Sequence, residues 1–264
     1  MLLAIKFYCL PFTVYCLPFM PAERFFIPVD LKANVDVILD GTEFHHFAHV
    51  MRVKEGETVE LVNGMGVLAK GIVGKINKKN ASITIQEAVS AEKQKIEVVL
   101  AQAIPRLNRL DTIIEKATEL GATQLWLFPA QGSERKMLSE SQVERVNSIT
   151  IASMKQCGRL FLPTVKIMAP LEKWPTIHFK AYFGDLSDSA PLFSEGWKQS
   201  TLDKGVLFFI GPESGFTEKE RDQLIKLGAQ GVKLSDAILR TDTAAITALS
   251  LINHWLLKNL KSEI

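Results

Sequence analysis

The sequence predicts an α/β protein in which a small β-domain precedes a larger domain built on a parallel sheet. From residue 24 to about residue 88, short β-rich runs are separated by glycine and asparagine, the pattern of a small barrel or sandwich. After about residue 95, apolar strands alternate with amphipathic helices, which is typical of βαβ units. We therefore expect a β-barrel domain over residues 20–90 and an α/β domain over residues 95–264.

The composition limits the possible classes of protein. With 264 residues, of which 47% are hydrophobic, the chain can bury one large core or two smaller ones. The 31 basic and 29 acidic residues exclude a polycationic tail, so any nucleic-acid contact depends on local patches. Cys9, Cys16 and Cys157 have neither disulfide-framework nor zinc-knuckle spacing, which fits a reducing cytosol.

The first nineteen residues are apolar apart from Lys6, and residues 8–12 recur as residues 15–19. Two prolines interrupt the apolar run, and no Ala-x-Ala cleavage site follows it. A signal peptide stays an alternative, but we expect residues 1–19 to be an extension outside the fold, with the first domain beginning at Met20.

Five β-rich runs define the expected barrel, at residues 25–29, 35–39, 58–63, 67–76 and 81–89. Between them, Phe44, Phe47, Val50 and Met51 have helical spacing, which predicts a helix over residues 42–53. Lysines flank a predicted turn between the last two runs, where they could contact phosphate or simply be solvated. These are Lys75, Lys78 and Lys79.

The second domain begins with an apolar strand at residues 96–103 and a helix from Leu107 that Gly121 ends. Further strands are predicted at residues 124–128, 163–168, 179–183, 205–210 and 232–234. Ser139 can cap a helix that runs to about Cys157. Thr217 and Glu220 have capping-box spacing for a helix ending near residue 228, and a last helix covers residues 241–260.

Two segments that follow strands could carry chemistry. Residues 211–215 come directly after the most apolar strand, and a carboxylate in such a crevice, here Glu213, needs a partner. Residues 234–243 place Arg240, Thr241, Asp242 and Thr243 at a helix N-terminus, where a loop over an adenine and ribose would use such groups. An ordinary turn and a simple N-cap are the alternatives.

Other patterns favour no site. Residues 64–69 match a dinucleotide fingerprint by letter, but a strand follows instead of a helix. His45, His46 and His49 lack a third metal ligand or an acidic base, so we expect surface or RNA-facing histidines and no metal. The sequence contains neither GxxxxGK[ST] nor GxSxG.

Six ordered segments resemble the RsmE-type 16S rRNA uridine-N3 methyltransferases of the SPOUT superfamily. They lie at residues 24–26, 45–56, 115–122, 156–159, 210–216 and 238–249, and so extend over almost everything from Met20 onward. The resemblance implies a PUA-like RNA-binding β-barrel followed by a SPOUT parallel-sheet domain with a trefoil knot. It also implies a cytoplasmic homodimer with S-adenosylmethionine as cofactor, 16S rRNA of the small subunit as partner, and neither membrane nor metal.

By that resemblance, two loops hold the cofactor. The first contains Ile210, Gly211, Pro212 and Glu213, and the second contains Leu234, Ile238, Leu239, Arg240, Thr241, Thr243 and Ala244. Four positions depart from the family pattern, namely Ser214, Ser235, Ala237 and Asp242. Ser214 stands for a glycine in a turn expected to prefer positive φ, and Asp242 is one methylene shorter than the usual glutamate.

The implied reaction is methyl transfer to uracil N3. We expect Glu213 or a loop carbonyl to take the N3 proton and Arg240 to stabilise charge on the uracil carbonyls. The expected RNA-binding residues are Arg24, His46, Arg52, Lys75, Lys78, Lys79 and Arg159. A catalytically silent ribosome-assembly factor, and a SPOUT methyltransferase acting on another nucleotide, are the alternatives.

Overall fold

A computed structural model describes residues 24–196 and 205–260. The predicted extension over residues 1–19, and the expected domain start at Met20, lie outside the described residues. The described residues divide into two compact units, one of residues 24–94 and 154–162 and one of residues 95–153, 163–196 and 205–260. The sequence pattern does not predict that residues 154–162 belong with the first unit.

The first unit contains one five-stranded sheet in the order β1-β3-β4-β5-β2. Its strands are β1 (Arg24–Phe26), β2 (Asp36–Asp40), β3 (Thr58–Val62), β4 (Val67–Ile76) and β5 (Asn80–Ser90). Strands β1 and β3 are parallel, and the other neighbours are antiparallel. All five predicted runs therefore form strands, and their alternate apolar side chains fill one core.

The predicted helix over residues 42–53 forms, but it begins at Gly41, ends at Val50 and is not α-helical throughout. The segment forms α1 (Gly41–His45) followed by a π-helix (His46–Val50), and both bury a phenylalanine, Phe44 and Phe47. The Met51 N–H donates to the carbonyl of His46 at 3.0 Å, which is the five-residue spacing of a π turn. Arg52 then has a φ of 56°, and this left-handed conformation stops the helix before Val53.

The second unit contains a six-stranded sheet, in the order β11-β9-β10-β6-β7-β8, and every neighbouring pair is parallel. The strands are β6 (Val98–Ala103), β7 (Gln124–Phe128), β8 (Thr164–Ile167), β9 (Lys180–Gly184), β10 (Val206–Ile210) and β11 (Gln230–Val232). The last strand lies two residues before its predicted position, because Lys233 already bonds through its backbone to Pro191 and Phe193.

The described helices of this unit are α2 (Leu107–Glu119), α3 (Glu140–Cys157), α4 (Phe193–Gly196), α5 (Glu218–Lys226) and α6 (Thr241–Leu260), and only the last turn of α3, from Met154, belongs to the first unit. A 3-10 turn at Leu171–Lys173 is additional. Helix α2 packs against α6 in one apolar layer, while α5 and the 3-10 turn lie in another. Thr217 and Glu220 form the predicted capping box, and Gly121 follows α2 with a φ of 92°.

The central strands position the site. Every residue of β6 and β10 is buried, and alternate residues of β6 enter the apolar layers on opposite faces of the sheet. Because β6 and β10 are parallel neighbours, their carboxyl ends meet at the same edge. No helix within residues 24–196 and 205–260 is long and apolar enough to cross a membrane.

Candidate active site

The carboxyl ends of β6 and β10 mark the point where the strand order reverses. From β6 the sheet continues through β7 to β8 on one side, and from β10 it continues through β9 to β11 on the other. Open parallel sheets bind ligands in the crevice outside such a point. The segment after β10 contains Glu213, so the structure places that predicted residue at this edge.

A buried amide joins the two predicted cofactor loops. The Gln102 Nε2 amide, at the end of β6, donates to Thr241 Oγ1 at 2.9 Å and to the Gly211 carbonyl at 3.4 Å. The Thr241 hydroxyl donates to the same carbonyl at 2.7 Å. Gln102 Oε1 is buried and has no hydrogen-bond partner among the described residues. The start of α6 is therefore bonded to the loop after β10, and an acceptor remains available there.

Charged groups form a second connection between the same loops. Glu213 Oε1 accepts from the backbone N–H of Arg106 at 3.1 Å and lies 3.6 Å from Arg109 Nε. Arg109 Nη1 donates to Asp242 Oδ1 at 3.1 Å. Arg106 precedes the first turn of α2, where the helix dipole favours a carboxylate. Glu213 therefore has the partner that its position requires.

The second predicted loop presents both apolar and polar groups. Ile238 is 84% exposed, Arg240 and Thr243 are also exposed, and Leu234 and Leu239 are half-buried. Ala244 is half-buried in the first turn of α6, and its N–H donates to the Arg240 carbonyl at 2.8 Å. Pro212 and Ile210 of the first loop are buried. Direct bonds between the loops are thus made by Gly211 and Thr241, while Arg240 projects from the surface.

The four residues that depart from the family pattern, Ser214, Ser235, Ala237 and Asp242, are accommodated by the local structure. The positive φ of the first loop, 76°, belongs to Gly215, and Ser214 does not have a positive φ, so the expected strain at Ser214 is wrong. Ser235 Oγ accepts from the N–H of Ala237 at 3.1 Å, which closes a local turn. Asp242 reaches Arg109 despite its shorter side chain.

The loop after β7 contacts the first cofactor loop. A Cβ added to Gly132 would overlap Ser214 Oγ and lie 3.2 Å from Pro212 Cγ. The buried carboxylate of Glu220 accepts from the N–H of Gln131 at 2.7 Å through Oε1, while Oε2 accepts from the N–H of Thr217 at 2.9 Å. Glu220 therefore caps α5 and also fixes the β7 loop at the same edge of the sheet.

In the first unit, two predicted RNA-binding arginines lie near each other. Arg24 Nε bonds Glu60 Oε2 at 3.0 Å, and its buried Nη1 has no hydrogen-bond partner among the described residues. A Cβ added to Gly158 would lie 3.3 Å from that Nη1, so Arg24 is next to the segment containing Arg159. Arg159 is half-buried, and its burial lowers the pKa of the guanidinium from its usual value.

The other predicted RNA-binding residues lie elsewhere on the first unit. His46 is half-buried, with its ring centroid 6.2 Å from that of Phe25, whereas Arg52 is exposed. The β4–β5 turn, closed by the Asn77 to Asn80 side-chain bond of 2.9 Å, carries three exposed lysines, Lys75, Lys78 and Lys79. The His45 and His49 rings are 4.9 Å apart, but no group of three metal-ligating residues occurs among the described residues.

Comparison with known proteins decides the family. The sequence matches the family described as RNA methyltransferase domain over residues 92–253, and RNA methyltransferase PUA domain over residues 39–86. It is 30% identical to the ribosomal RNA small subunit methyltransferase E of Synechocystis sp., over 90% of this chain and 79% of that protein. The chain belongs to the small subunit methyltransferase E family.

Other members of this methyltransferase family are similar over most of their length. The Bacillus subtilis enzyme is 29% identical, over 88% of this chain and 96% of its own. A Neisseria gonorrhoeae member, solved with S-adenosylmethionine bound, has 26% identity and a TM-score of 0.76, covering 89% of this chain and 98% of that one. The predicted fold class is confirmed, namely a SPOUT parallel-sheet domain with an N-terminal PUA-like β-barrel domain.

Sequence reasoning missed two residues that contact the two predicted cofactor loops. Gln102 is the one polar side chain at the end of an otherwise apolar strand, and that isolation is a usable signal. Arg109 lies in the first turn of α2, where nothing in the sequence distinguishes it from the neighbouring Arg106. Only the fold brings Arg109 to Glu213 and Asp242.

Proposed function

We propose that this chain transfers a methyl group from S-adenosylmethionine to N3 of a specific uridine in 16S rRNA of the small ribosomal subunit. Membership of the methyltransferase family and the relatives' names support the reaction class and the RNA. The observation that carries the proposal is the bond between the two loops, Thr241 to Gly211, at the reversal point of the parallel sheet.

The residues at this edge fit S-adenosylmethionine. Ile238 offers an exposed apolar side chain to a base, and Arg240 and Glu213 offer charged groups. Gln102 Oε1 is a buried acceptor that finds no donor in the part of the chain that the structure describes, and buried acceptors normally have one. A ligand with amino and hydroxyl donors, as adenosine has, supplies what this acceptor requires. The loop residues proposed to hold it are those named from the sequence, namely Ile210 to Glu213, Leu234, Ile238 to Thr241, Thr243 and Ala244.

The cofactor supplies a sulfonium methyl group, so the N3–C bond forms as the C–S bond breaks and S-adenosylhomocysteine leaves. The protein must remove the N3 proton. Both contacts of the Glu213 carboxylate go to Oε1, which leaves Oε2 to accept that proton. Arg240, an exposed residue directly before Thr241, is proposed to stabilise negative charge on the uracil carbonyls.

The substrate must present an unpaired uridine, because base pairing hides N3. RNA phosphates could be bound by the exposed Arg52 and by the lysines of the β4–β5 turn. Such local cations do not require a high net positive charge of the whole protein. Arg24 and Arg159 are proposed to hold a phosphate or the base, since Arg24 Nη1 is a buried donor with no acceptor within residues 24–196 and 205–260.

The role of Arg240 is tested by single-turnover methylation of small subunits. Arg240→Ala should slow the reaction about 100-fold, the usual effect of losing one donor to developing charge. Arg240→Lys should retain part of the rate. The control is Arg145→Ala, since Arg145 pairs with Asp111 on the surface of the same unit. A wild-type rate in Arg240→Ala would contradict the electrostatic role.

The same measurements distinguish the alternatives. A silent assembly factor would bind subunits but give no heat with S-adenosylmethionine in calorimetry. A methyltransferase acting on ribose would give a methylated sugar in the digested product. The hypothesis of a silent assembly factor was motivated by the four departures from the family pattern. Ser214 does not have a positive φ, and Asp242 contacts Arg109, so neither residue disrupts the loops.

We also propose a cytoplasmic homodimer. Among the apolar residues of α6, Leu249 is buried in the core of its own unit, Ile246 and Trp255 are half-buried, and Leu251 is 42% exposed. Leu251 therefore offers apolar surface to a second copy. Sedimentation equilibrium should give twice the monomer mass, and a monomer at micromolar concentration would contradict the dimer.

A further inference from the structure

One arginine lies between the two proposed cofactor loops. Arg109 Nη1 is 3.1 Å from Asp242 Oδ1, at the start of α6, and Arg109 Nε is 3.6 Å from Glu213 Oε1, after β10. The exposed fractions of these side chains are 22%, 25% and 30%, respectively, so solvent screens the three charges only in part. A single cation therefore contacts two carboxylates that belong to different loops.

We infer that Arg109 is a positioning residue that sets the spacing of the two loops before the cofactor binds. Without a cation between them, Glu213 and Asp242 would repel each other, and this repulsion would oppose the observed spacing of the two loops. Arg106 cannot replace Arg109, because only its backbone N–H reaches Glu213. Its side chain is 63% exposed and pairs with Glu134 at 2.6 Å.

Loss of Arg109 should leave the fold intact. The buried bonds among Gln102, Thr241 and Gly211 connect the same loops independently of any charge. The helix α2 also keeps its apolar contacts, since Leu110, Ile113 and Ile114 are buried in the core. The effect of Arg109 is therefore expected in ligand affinity and in the charge coupling between loops, more than in folding.

The proposal rests on the proposed function for the identity of the ligand, and calorimetric titration with S-adenosylmethionine tests it. Arg109→Met should weaken binding about tenfold, the effect of losing one charged contact. Arg109→Lys should recover only part of this, since a single ammonium cannot reach both carboxylates as a guanidinium does. The matched control is Arg145→Met, which removes an arginine of the same unit that pairs with Asp111 away from the loops.

Charge removal separates positioning from simple packing. Asp242→Asn alone should weaken binding, because it removes a partner of Arg109. In the Arg109→Met background the same change should strengthen binding, because it removes one of two facing carboxylates. A role in packing alone predicts no such reversal. Wild-type affinity in Arg109→Met, or additive losses in the double variant, would overturn the proposal.

Stability measurements make the test independent of the ligand. Urea unfolding of the same four proteins, without S-adenosylmethionine, should show the same reversal for Asp242→Asn. If the wild type bound no S-adenosylmethionine, the proposed function would fail while the unfolding data still decided the role of Arg109. If the wild type bound it and the unfolding data were additive, Arg109 would not couple the loops.

Discussion

At the scale of single residues, Gln102 is the side chain on which the site depends most directly. It is fully buried, and its amide bonds the carbonyls of Ala103 and Gly211 and the hydroxyl of Thr241. A buried amide with three acceptors holds its neighbours in one geometry, because its bonds replace those that the buried groups would make to water. Gln102 thus links the strand β6 to both loops.

Replacing Gln102 with leucine should therefore affect stability and ligand affinity together. Gln102→Leu is expected to lower the free energy of unfolding by about 2 kcal/mol, because it removes the buried hydrogen bonds that the amide makes to Ala103, Gly211 and Thr241. Urea denaturation measures this, and calorimetry should show weaker S-adenosylmethionine binding. Gln124→Leu is the control, since Gln124 bonds Glu97 at the opposite edge of the sheet. Equal ligand affinity in both variants would refute the role of Gln102.

The sequence predicted the two loops but not the residues that join them. Residues 211–215 and 234–243 could be found because polar groups there follow apolar strands. Arg109 lies 104 positions before Glu213 and 133 before Asp242 in the chain, so their contact depends on the strand order and on the register of α2. Local patterns contain neither.

At the scale of elements, the loops after β7 and β10 fit together at the carboxyl ends of the strands. The loop after β7 lies against the loop after β10, where Gly132 leaves room for Ser214. Glu220 of α5 holds the first of these loops through Gln131 while it caps its own helix. The capping box was predictable from its spacing, but its second role was not, because Gln131 is 89 positions away.

The fit between Gly132 and Ser214 gives a test by paired substitution. Gly132→Ala should lower the free energy of unfolding by about 1–3 kcal/mol, because the new methyl group overlaps Ser214 Oγ. Ser214→Gly removes that oxygen, so the double variant should recover part of the loss, although Pro212 Cγ remains close. Urea unfolding of the four proteins measures the coupling, and strictly additive changes would show that the loops do not touch.

Helix ends were the least predictable elements. The π-helix at His46–Val50 and the left-handed Arg52 shorten a helix that side-chain spacing extends to residue 53. Periodicity of apolar residues does not distinguish a π turn from an α turn over one or two turns, because Phe44 and Phe47 are buried in either case. Longer elements such as α6, with many periodic residues, were predicted at their observed bounds.

At the scale of the whole molecule, the two units follow from patterns that extend over many residues. Alternating runs predicted the five strands of the first unit, and repeated βαβ order predicted the parallel sheet of the second. The return of residues 154–162 to the first unit was not predictable, because no composition change marks these residues. The family follows from the ordered motifs and is shown by the matches over residues 39–86 and 92–253.

The most direct test of the proposed function is methyl transfer from labelled S-adenosylmethionine to small ribosomal subunits that lack this modification. The RNA is then digested, and the labelled nucleoside is identified by mass spectrometry. We predict 3-methyluridine at one position, abolished or strongly reduced by Arg240→Ala and unchanged by Arg145→Ala. A different methylated nucleoside, or no transfer by a protein that binds both cofactor and subunits, would contradict the proposal.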